Sequence, residues 1–278
     1  MWNDDKPKEF ERQLKQQLAY TTSAGKTARN WGPLEVLRAV LFHARILRVY
    51  ALAKRRIRQG RFGRDGYLNS SWSSLTVAEM LGGCFEVTGL HHLADTKGPV
   101  VIIGNHMGSL ETIAMPCLIL PFKEVAFVVK QSLTTHPIFG PIMCAVPHIA
   151  VARNNPREDL KLVLTRGAEL LSQGVSVVIF PQATRSAEFD VDGFNTLGIK
   201  LAARAGAPVI PLALKTDFMA NGKWIKDMGL VYPSRTIHFA FGNRIGVTGS
   251  GREEHVMVVR HVASHLKEWG GTIKGVVP

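Results

Sequence analysis

Cysteine is scarce in this 278-residue chain, with three copies at Cys84, Cys117 and Cys144. They are widely spaced, form no CxxC pair and join no histidine cluster, so neither a disulfide framework nor a metal site is expected. Buried thiols in a reducing compartment fit this usage. Long apolar runs are missing too. A bilayer span needs roughly 18 or more uncharged residues. The nearest run, Leu34 to Leu52, is broken by Arg38, His43, Arg45 and Arg48. The opening residues, MWNDDKPKEF, mix both charges and lead into no apolar segment, so no secretory leader is expected there. Aromatic content is 8%, with no zinc-finger spacing and no aromatic RNA-binding signature, which argues against a nucleic-acid partner. No GxSxG elbow occurs, which removes the serine-hydrolase route to a nucleophile.

What is plentiful is positive charge: 34 Lys and Arg against 22 Asp and Glu, a net +12. Such an excess favours an anionic membrane face or phosphorylated small molecules once nucleic acid is set aside. The hydrophobic share of 46% suits a globular domain with a buried core.

The pattern along the chain predicts an α/β fold, a largely parallel sheet covered by helices on both faces, preceded by an N-terminal amphipathic helical segment. Residues 1–30 read as a polar helix or loose arm. From Pro33 to Arg58 the spacing is helical. Arg38, Arg45, Arg48, Arg55 and Arg56 gather on one stripe, beside Val36, Val40, Phe42, Ile46, Leu47 and Val49. That arrangement suits a helix lying in a membrane interface, and equally a helix packed on a domain with solvated arginines. Residues 59–75 are rich in Gly, Ser and Asn and read as a linker. The expected division is therefore 1–75 as a helical, membrane-surface segment with its linker, and 76–278 as the compact domain.

Within that domain, residues 85–90, 99–106, 124–130, 148–153, 175–181, 207–214 and 236–242 read as strands, several as continuous apolar runs. Residues 156–173, 194–206 and 252–269 read as helices. In such sheets, sites form at the carboxyl ends of strands. His106, Lys130, Arg153 and the 182–185 turn all fall at predicted strand ends. His106, with Glu111 five residues on, can form a base and its orienting carboxylate. Ser109 between them reads as a helix N-cap. Without a nucleophile, the histidine has to activate an acceptor directly. Lys130, Arg153 and Arg185 supply the cations a phosphate needs, and the turn through Thr184 can cradle an anion on backbone N–H groups. His261 and His265 share a helical face but lack further ligands, so they are read as structural.

These blocks, in this order, resemble the glycerolipid acyltransferase superfamily, especially its lysophosphatidate (1-acylglycerol-3-phosphate) acyltransferases. The NHxxxxD block is matched by Asn105, His106 and Glu111. The second block is matched by Lys130, Leu133, Pro137, Phe139, Gly140 and Arg153, the third, FPEGTRS, by FPQATRS at 180–186, and the proline-bracketed fourth by Val209, Ile210 and Pro211. The resemblance covers about residues 85–245. It implies that His106 deprotonates an acceptor hydroxyl that attacks an acyl thioester with no acyl-enzyme intermediate. It further implies acyl-CoA or acyl carrier protein as co-substrate, a lysophospholipid acceptor, no resident cofactor, and residence on the cytoplasmic face of a membrane carrying anionic lipids. Two of the blocks depart from the pattern. Glu111 stands for Asp, and Gln182-Ala183 for Glu-Gly, in a block tied in the family to acceptor binding. Glycerol 3-phosphate, a lyso-ornithine lipid or an acyl sugar are therefore alternative acceptors, and a catalytically weak lipid-binding protein is the alternative outside enzymes.

Overall fold

The computed structural model describes residues 4–23, 35–182, 184–222 and 228–278. The chain opens with α1 (Asp5–Gln17) and a short β1 (Tyr20–Thr21), followed by the long helices α2 (Glu35–Arg58) and α3 (Gly63–Met80). Next come β2 (Phe85–Thr88), α4 (Leu90–Asp95) and β3 (Val101–Gly104). Two short helices, α5 (Leu110–Ala114) and α6 (Pro116–Ile119), lead to β4 (Glu124–Lys130). Then α7 (Gln131–Thr134) and α8 (Gly140–Cys144) precede β5 (His148–Val151), α9 (Pro156–Ser172) and β6 (Val175–Ile179). The remainder is β7 (Glu188–Asp190), α10 (Leu197–Ala205), β8 (Val209–Lys215), β9 (Ile237–Phe241), α11 (Arg252–Glu268) and β10 (Thr272–Lys274).

Eight strands form one sheet in the order β1-β2-β9-β8-β3-β6-β4-β5. From β8 to β5 every pairing is parallel, while β9 runs antiparallel to β8 and β1 antiparallel to β2. The apolar runs read as strands are buried because helices cover both faces. Alternation along β3 shows it: Ile102 packs with α2, α3, α5 and α6, while Val101 and Ile103 pack with α9, α10 and α11. The strand order reverses at β3, which lies between β6 and β8 although both come later in the chain. A cleft opens outside the carboxyl ends at such a switch point.

Two sequence readings give way here. The serine-rich stretch expected as a linker is instead an 18-residue helix, buried from Gly66 to Ser71 and again at Ser74, Leu75 and Val77 to Glu79. Serine hydroxyls that would compete with a helix in water turn back onto it: Ser74 donates to the Ser70 carbonyl at 2.9 Å and Thr76 Oγ1 to Trp72 at 2.9 Å. Ser71 bridges outward, donating to the Ala114 carbonyl at 3.1 Å and accepting from the Cys117 N–H at 2.8 Å. Composition signals a turn, but these contacts make serine a core residue. The arginine stripe of α2 is also broken. Arg38 is 6% exposed, whereas Arg45, Arg48 and Arg55 are open to solvent. The exposed face instead interleaves Arg45 and Arg48 with Val36, Leu37, Val40 and Leu47, while Phe42, Ile46 and Val49 are buried.

Of the arm read over residues 1–30, the described part, residues 4–23, is docked rather than loose, and residues 1–3 and 24–30 lie outside the described residues. Phe10 and Leu14 of α1 enter the core, and Thr22 Oγ1 donates to the buried Glu79 carboxylate at 2.8 Å, beside a short bond from the Tyr20 hydroxyl. Arg64 of α3 ties α1 to β4, donating to Glu11 at 3.0 Å and to Glu124 at 2.9 Å.

Because α3 is a core element, Leu75→Ala at a fully buried position is expected to lower unfolding free energy by about 2–5 kcal/mol. Urea titration checks this, and an unchanged midpoint would restore the linker reading.

Candidate active site

The site grows from the end of β3. Gly104 approaches β8 so closely that a Cβ there would meet the Leu212 carbonyl at 2.8 Å. Glycine therefore permits the pairing to continue, and the next side chain extends it. Asn105 is 2% exposed; its Oδ1 accepts the Leu214 N–H at 2.9 Å and its Nδ2 donates to the Leu214 carbonyl at 2.8 Å. A side chain thus acts as one more rung of the ladder and fixes where the chain leaves the sheet.

His106 follows and is held from every side but one. Its N–H donates to Gln182 Oε1 at 3.0 Å, and its carbonyl accepts the Ser186 N–H at 3.0 Å. Its ring stacks on Phe180, centroids 4.4 Å apart and planes within 8°. Nδ1 lies 2.9 Å from Glu111 Oε1. A carboxylate only accepts, so Nδ1 carries the proton and Nε2 presents a lone pair. Among the described residues Nε2 has no protein partner.

Glu111 is fully buried. Its Oε1 also accepts the N–H groups of Met107 at 2.8 Å and Gly108 at 2.7 Å, and its Oε2 accepts the Thr216 hydroxyl at 2.6 Å. Burial pushes the carboxyl up, but the hydrogen bonds from His106, Thr216 and Gly108 outweigh it and hold it below its usual value of 4.5. The glutamate seen in place of aspartate therefore completes the pair. Thr216 escaped the sequence reading; the available signal was its place just past β8, at the same sheet edge as His106. Phe180, just past β6, was legible on the same ground. Ser109 starts α5 but caps nothing with its side chain; its hydroxyl accepts from Arg185.

A cavity of about 560 Å³ opens in front of Nε2, between the carboxyl ends of the strands and α2 and α3. Its walls are mainly apolar, with Phe42, Ile46, Phe127, Ile142 and Met143 among them. His106, Lys130, Arg153, Thr184 and Arg185 all line it. Arg153 is set by its backbone: φ is +63°, a left-handed conformation costly for a branched-Cβ-free residue other than glycine by about 1–2 kcal/mol. Asp159 holds it there, accepting the N–H groups of Ala152 at 3.0 Å and Arg153 at 2.8 Å. Asn105 and Gln182 do not line the cavity. Gln182 is 6% exposed and faces the His106 backbone, with Nε2 donating to the Glu188 carbonyl at 3.4 Å. Ala183 lies outside the described residues. Among the described residues no group of three or more His, Cys, Asp or Glu is placed to hold a metal ion. His261 is engaged elsewhere, its Nε2 lying 3.0 Å from the Ala240 carbonyl.

The sequence profile of the family described as Acyltransferase matches residues 84–215. The chain is 32% identical over 180 residues to a 1-acyl-sn-glycerol-3-phosphate acyltransferase of Pseudomonas aeruginosa, a match covering 65% of each chain. It is 32% identical over 161 residues to a protein of the same description from Chlamydomonas reinhardtii, covering 56% of this chain and 46% of that one. The chain thus spans less than two thirds of these relatives' lengths. In structure it resembles the 1-acyl-sn-glycerophosphate acyltransferase PlsC of Thermotoga maritima, with a TM-score of 0.60 and 18% identity, over 85% of this chain and 96% of that one. At that identity the likeness concerns the fold.

The depressed Glu111 carboxyl gives a pH signature. Its stabilising effect is complete above the ordinary carboxylate range near 4.5 and is lost as pH falls through the lower folded value. Urea denaturation of wild type and Glu111→Gln between pH 7 and pH 3 is expected to show part of the acid-side loss in wild type only. Parallel pH curves would remove Glu111 as its source.

Proposed function

We propose that this protein, whose residues 84–215 match the Acyltransferase family and which is 32% identical to 1-acyl-sn-glycerol-3-phosphate acyltransferases, is a lysophosphatidate-acyltransferase-like enzyme that moves a fatty acyl group from a thioester donor to a hydroxyl of a phosphate-bearing lysolipid, with 1-acylglycerol-3-phosphate as the leading acceptor. One observation carries the reading. A histidine with every polar atom but Nε2 engaged stands in the wall of an apolar cavity that three cationic side chains also line. The apolar space suits an acyl chain. Lys130, Arg153 and Arg185 suit a phosphate monoester.

In this reading Nε2 takes the proton of the acceptor hydroxyl as its oxygen attacks the thioester carbonyl. The C–O bond forms, the C–S bond breaks, and the proton on His106 passes to the departing thiolate or to water. Glu111 stabilises the imidazolium through Nδ1–H and keeps the ring in the productive tautomer. No acyl-enzyme is needed: none of the three cysteines lines the cavity, and the Ser109 hydroxyl is held by Arg185. Acyl-CoA or acyl carrier protein serves as co-substrate, and the chemistry asks for no resident cofactor.

The placement of Gln182 supports lysophosphatidate over more distant acceptors. The change from glutamate falls on a side chain turned to the His106 backbone, so the phosphate-facing residues Lys130, Arg153, Thr184 and Arg185 keep the family's chemistry. Among the described residues no helix is long and apolar enough to cross a membrane. We assign α2 to the interface instead. Val36 is 67% exposed and Val40 57%, beside exposed Leu37 and Leu47 and the cations Arg45 and Arg48. Apolar side chains would enter the head-group boundary while arginines meet anionic lipid, which supports a peripheral position on the cytoplasmic leaflet as part of the same proposal.

The decisive assay offers lysophosphatidate, glycerol 3-phosphate and a zwitterionic lysolipid, each with acyl-CoA and acyl carrier protein, on anionic vesicles. Lysophosphatidate is expected to be acylated, with His106→Ala losing about 10²–10⁴-fold in kcat. Folded protein that acylates none of them contradicts the reading. In vesicle flotation, Arg45→Glu with Arg48→Glu is expected to release the protein from anionic but not to alter its weak hold on zwitterionic bilayers; equal flotation of variant and wild type would take α2 off the membrane.

A further inference from the structure

The α3 wall of the cavity is unlike the rest. Tyr67, Ser70, Ser71 and Ser74 follow the i, i+3, i+4, i+7 spacing of one helical face, and all four line the cavity. A plain alkyl chain gains nothing from hydroxyl groups and would be matched by methyl-bearing side chains. Two of the hydroxyls have structural work: Ser71 bridges to Ala114 and Cys117, and Ser74 bonds the Ser70 carbonyl. The other two do not. The Tyr67 hydroxyl and Ser70 Oγ make no hydrogen bond among the described residues, though Tyr67 is 7% exposed and Ser70 5%. Burial raises the Tyr67 pKa, so its hydroxyl stays protonated and remains a donor. Buried polar groups left unpaired against an apolar ligand cost affinity, and the same groups matched by a ligand oxygen select for it.

We propose that Tyr67 and Ser70 form a polar subsite inside the acyl cavity that accepts an oxygen carried on the chain, making the protein selective for a hydroxylated acyl chain. This rests on the acyl-transfer reading, which identifies the occupant as an acyl chain. Tyr67 and Ser70 stand on one face of α3 and line the same cavity, so a chain threaded past that face can accept from the Tyr67 hydroxyl or bond the Ser70 hydroxyl with an oxygen it carries. The hydroxylated chain belongs either to the thioester donor or to the lysolipid acceptor; the chemistry at α3 is the same.

Two arms separate these sources. In the first, hexadecanoyl, 3-hydroxyhexadecanoyl and 12-hydroxyoctadecanoyl thioesters are compared on plain lysophosphatidate. In the second, lysophosphatidates bearing the same three chains are compared with hexadecanoyl thioester. A hydroxylated chain in one arm is expected to be favoured about 10- to 100-fold in kcat/KM. Tyr67→Phe and Ser70→Ala keep shape and are each expected to remove most of that ratio. Equal use of plain and hydroxylated chains in both arms overturns the subsite, as does a preference that survives in the double variant. If no pair is turned over, the acyl-transfer reading fails by itself, and calorimetry with hexadecanoate and 3-hydroxyhexadecanoate decides the subsite alone. Tighter binding of the hydroxy acid that disappears in Tyr67→Phe supports it, and equal binding refutes it.

Discussion

Everything at the sheet edge depends on one buried carboxylate. Glu111 sits without solvent contact and accepts four hydrogen bonds, from the His106 ring, two successive backbone N–H groups and Thr216. Those donors come from the loop after β3 and from the end of β8, so the charge that orients the base also joins the two strands flanking the site. A buried charge is tolerable only when it is fully paired. Here the pairing partners are the very groups that must be positioned. Removing the charge would therefore loosen the loop and the base together.

The sheet makes that economy possible. β3 lies between β6 and β8, so residues just past these two neighbouring strands converge on His106 and its carboxylate: Thr216 on the carboxylate, Phe180 against the ring, and Gln182 on the backbone N–H. Asn105 sets the exit point by pairing with Leu214 as a strand residue would. Strand ends are rigid because their ladders are; a histidine held at four points, by Gln182, Ser186, Phe180 and Glu111, needs little reorganisation to act as the proposed base. Arg153 is fixed in a different way, by Asp159 gripping two consecutive N–H groups and holding a left-handed turn. Arg185, by contrast, is tied to the loop that carries His106, through the Ser109 hydroxyl.

How much of this was legible follows from which signals are local. Strands such as 124–130 were readable because burial on both faces writes a continuous apolar run, and Glu124–Lys130 is the observed strand. Helix α9 was readable from its opening Pro156 and acids, and its Asn155 cap is made as expected of that residue type. His106 and the cations could be brought together on paper because they follow strand ends, and Glu111 because it stands five residues beyond the histidine, a pairing the structure makes at 2.9 Å. What failed depended on long-range contacts. Serines in α3 look like a linker until Ala114 and Cys117 are seen to bond Ser71. Arg38 looks like part of a solvated stripe, because period alone does not say which arc of α2 the domain covers. Residues 1–30 read as a polar arm because apolar residues such as Phe10 and Leu14 are sparse there, yet these two reach the core. Gln182 was the subtler case, since its identity suggested a changed acceptor pocket while its side chain faces the other way.

That orientation changes what the glutamine means. An amide offers one acceptor and one donor. At position 182 the acceptor takes the His106 N–H, and the donor reaches the Glu188 carbonyl over a long 3.4 Å contact. A carboxylate could make the first bond but would set a second oxygen against that carbonyl, two acceptors face to face. It would also add negative charge on the backbone side of a histidine whose ring already faces Glu111. The amide keeps the grip on the backbone with neither conflict, and leaves Glu111 as the sole charge that responds to protonation of the ring. The departure at 182 thus bears on how firmly His106 is held, while Lys130, Arg153, Thr184 and Arg185, to which the proposal gives the acceptor, line the cavity.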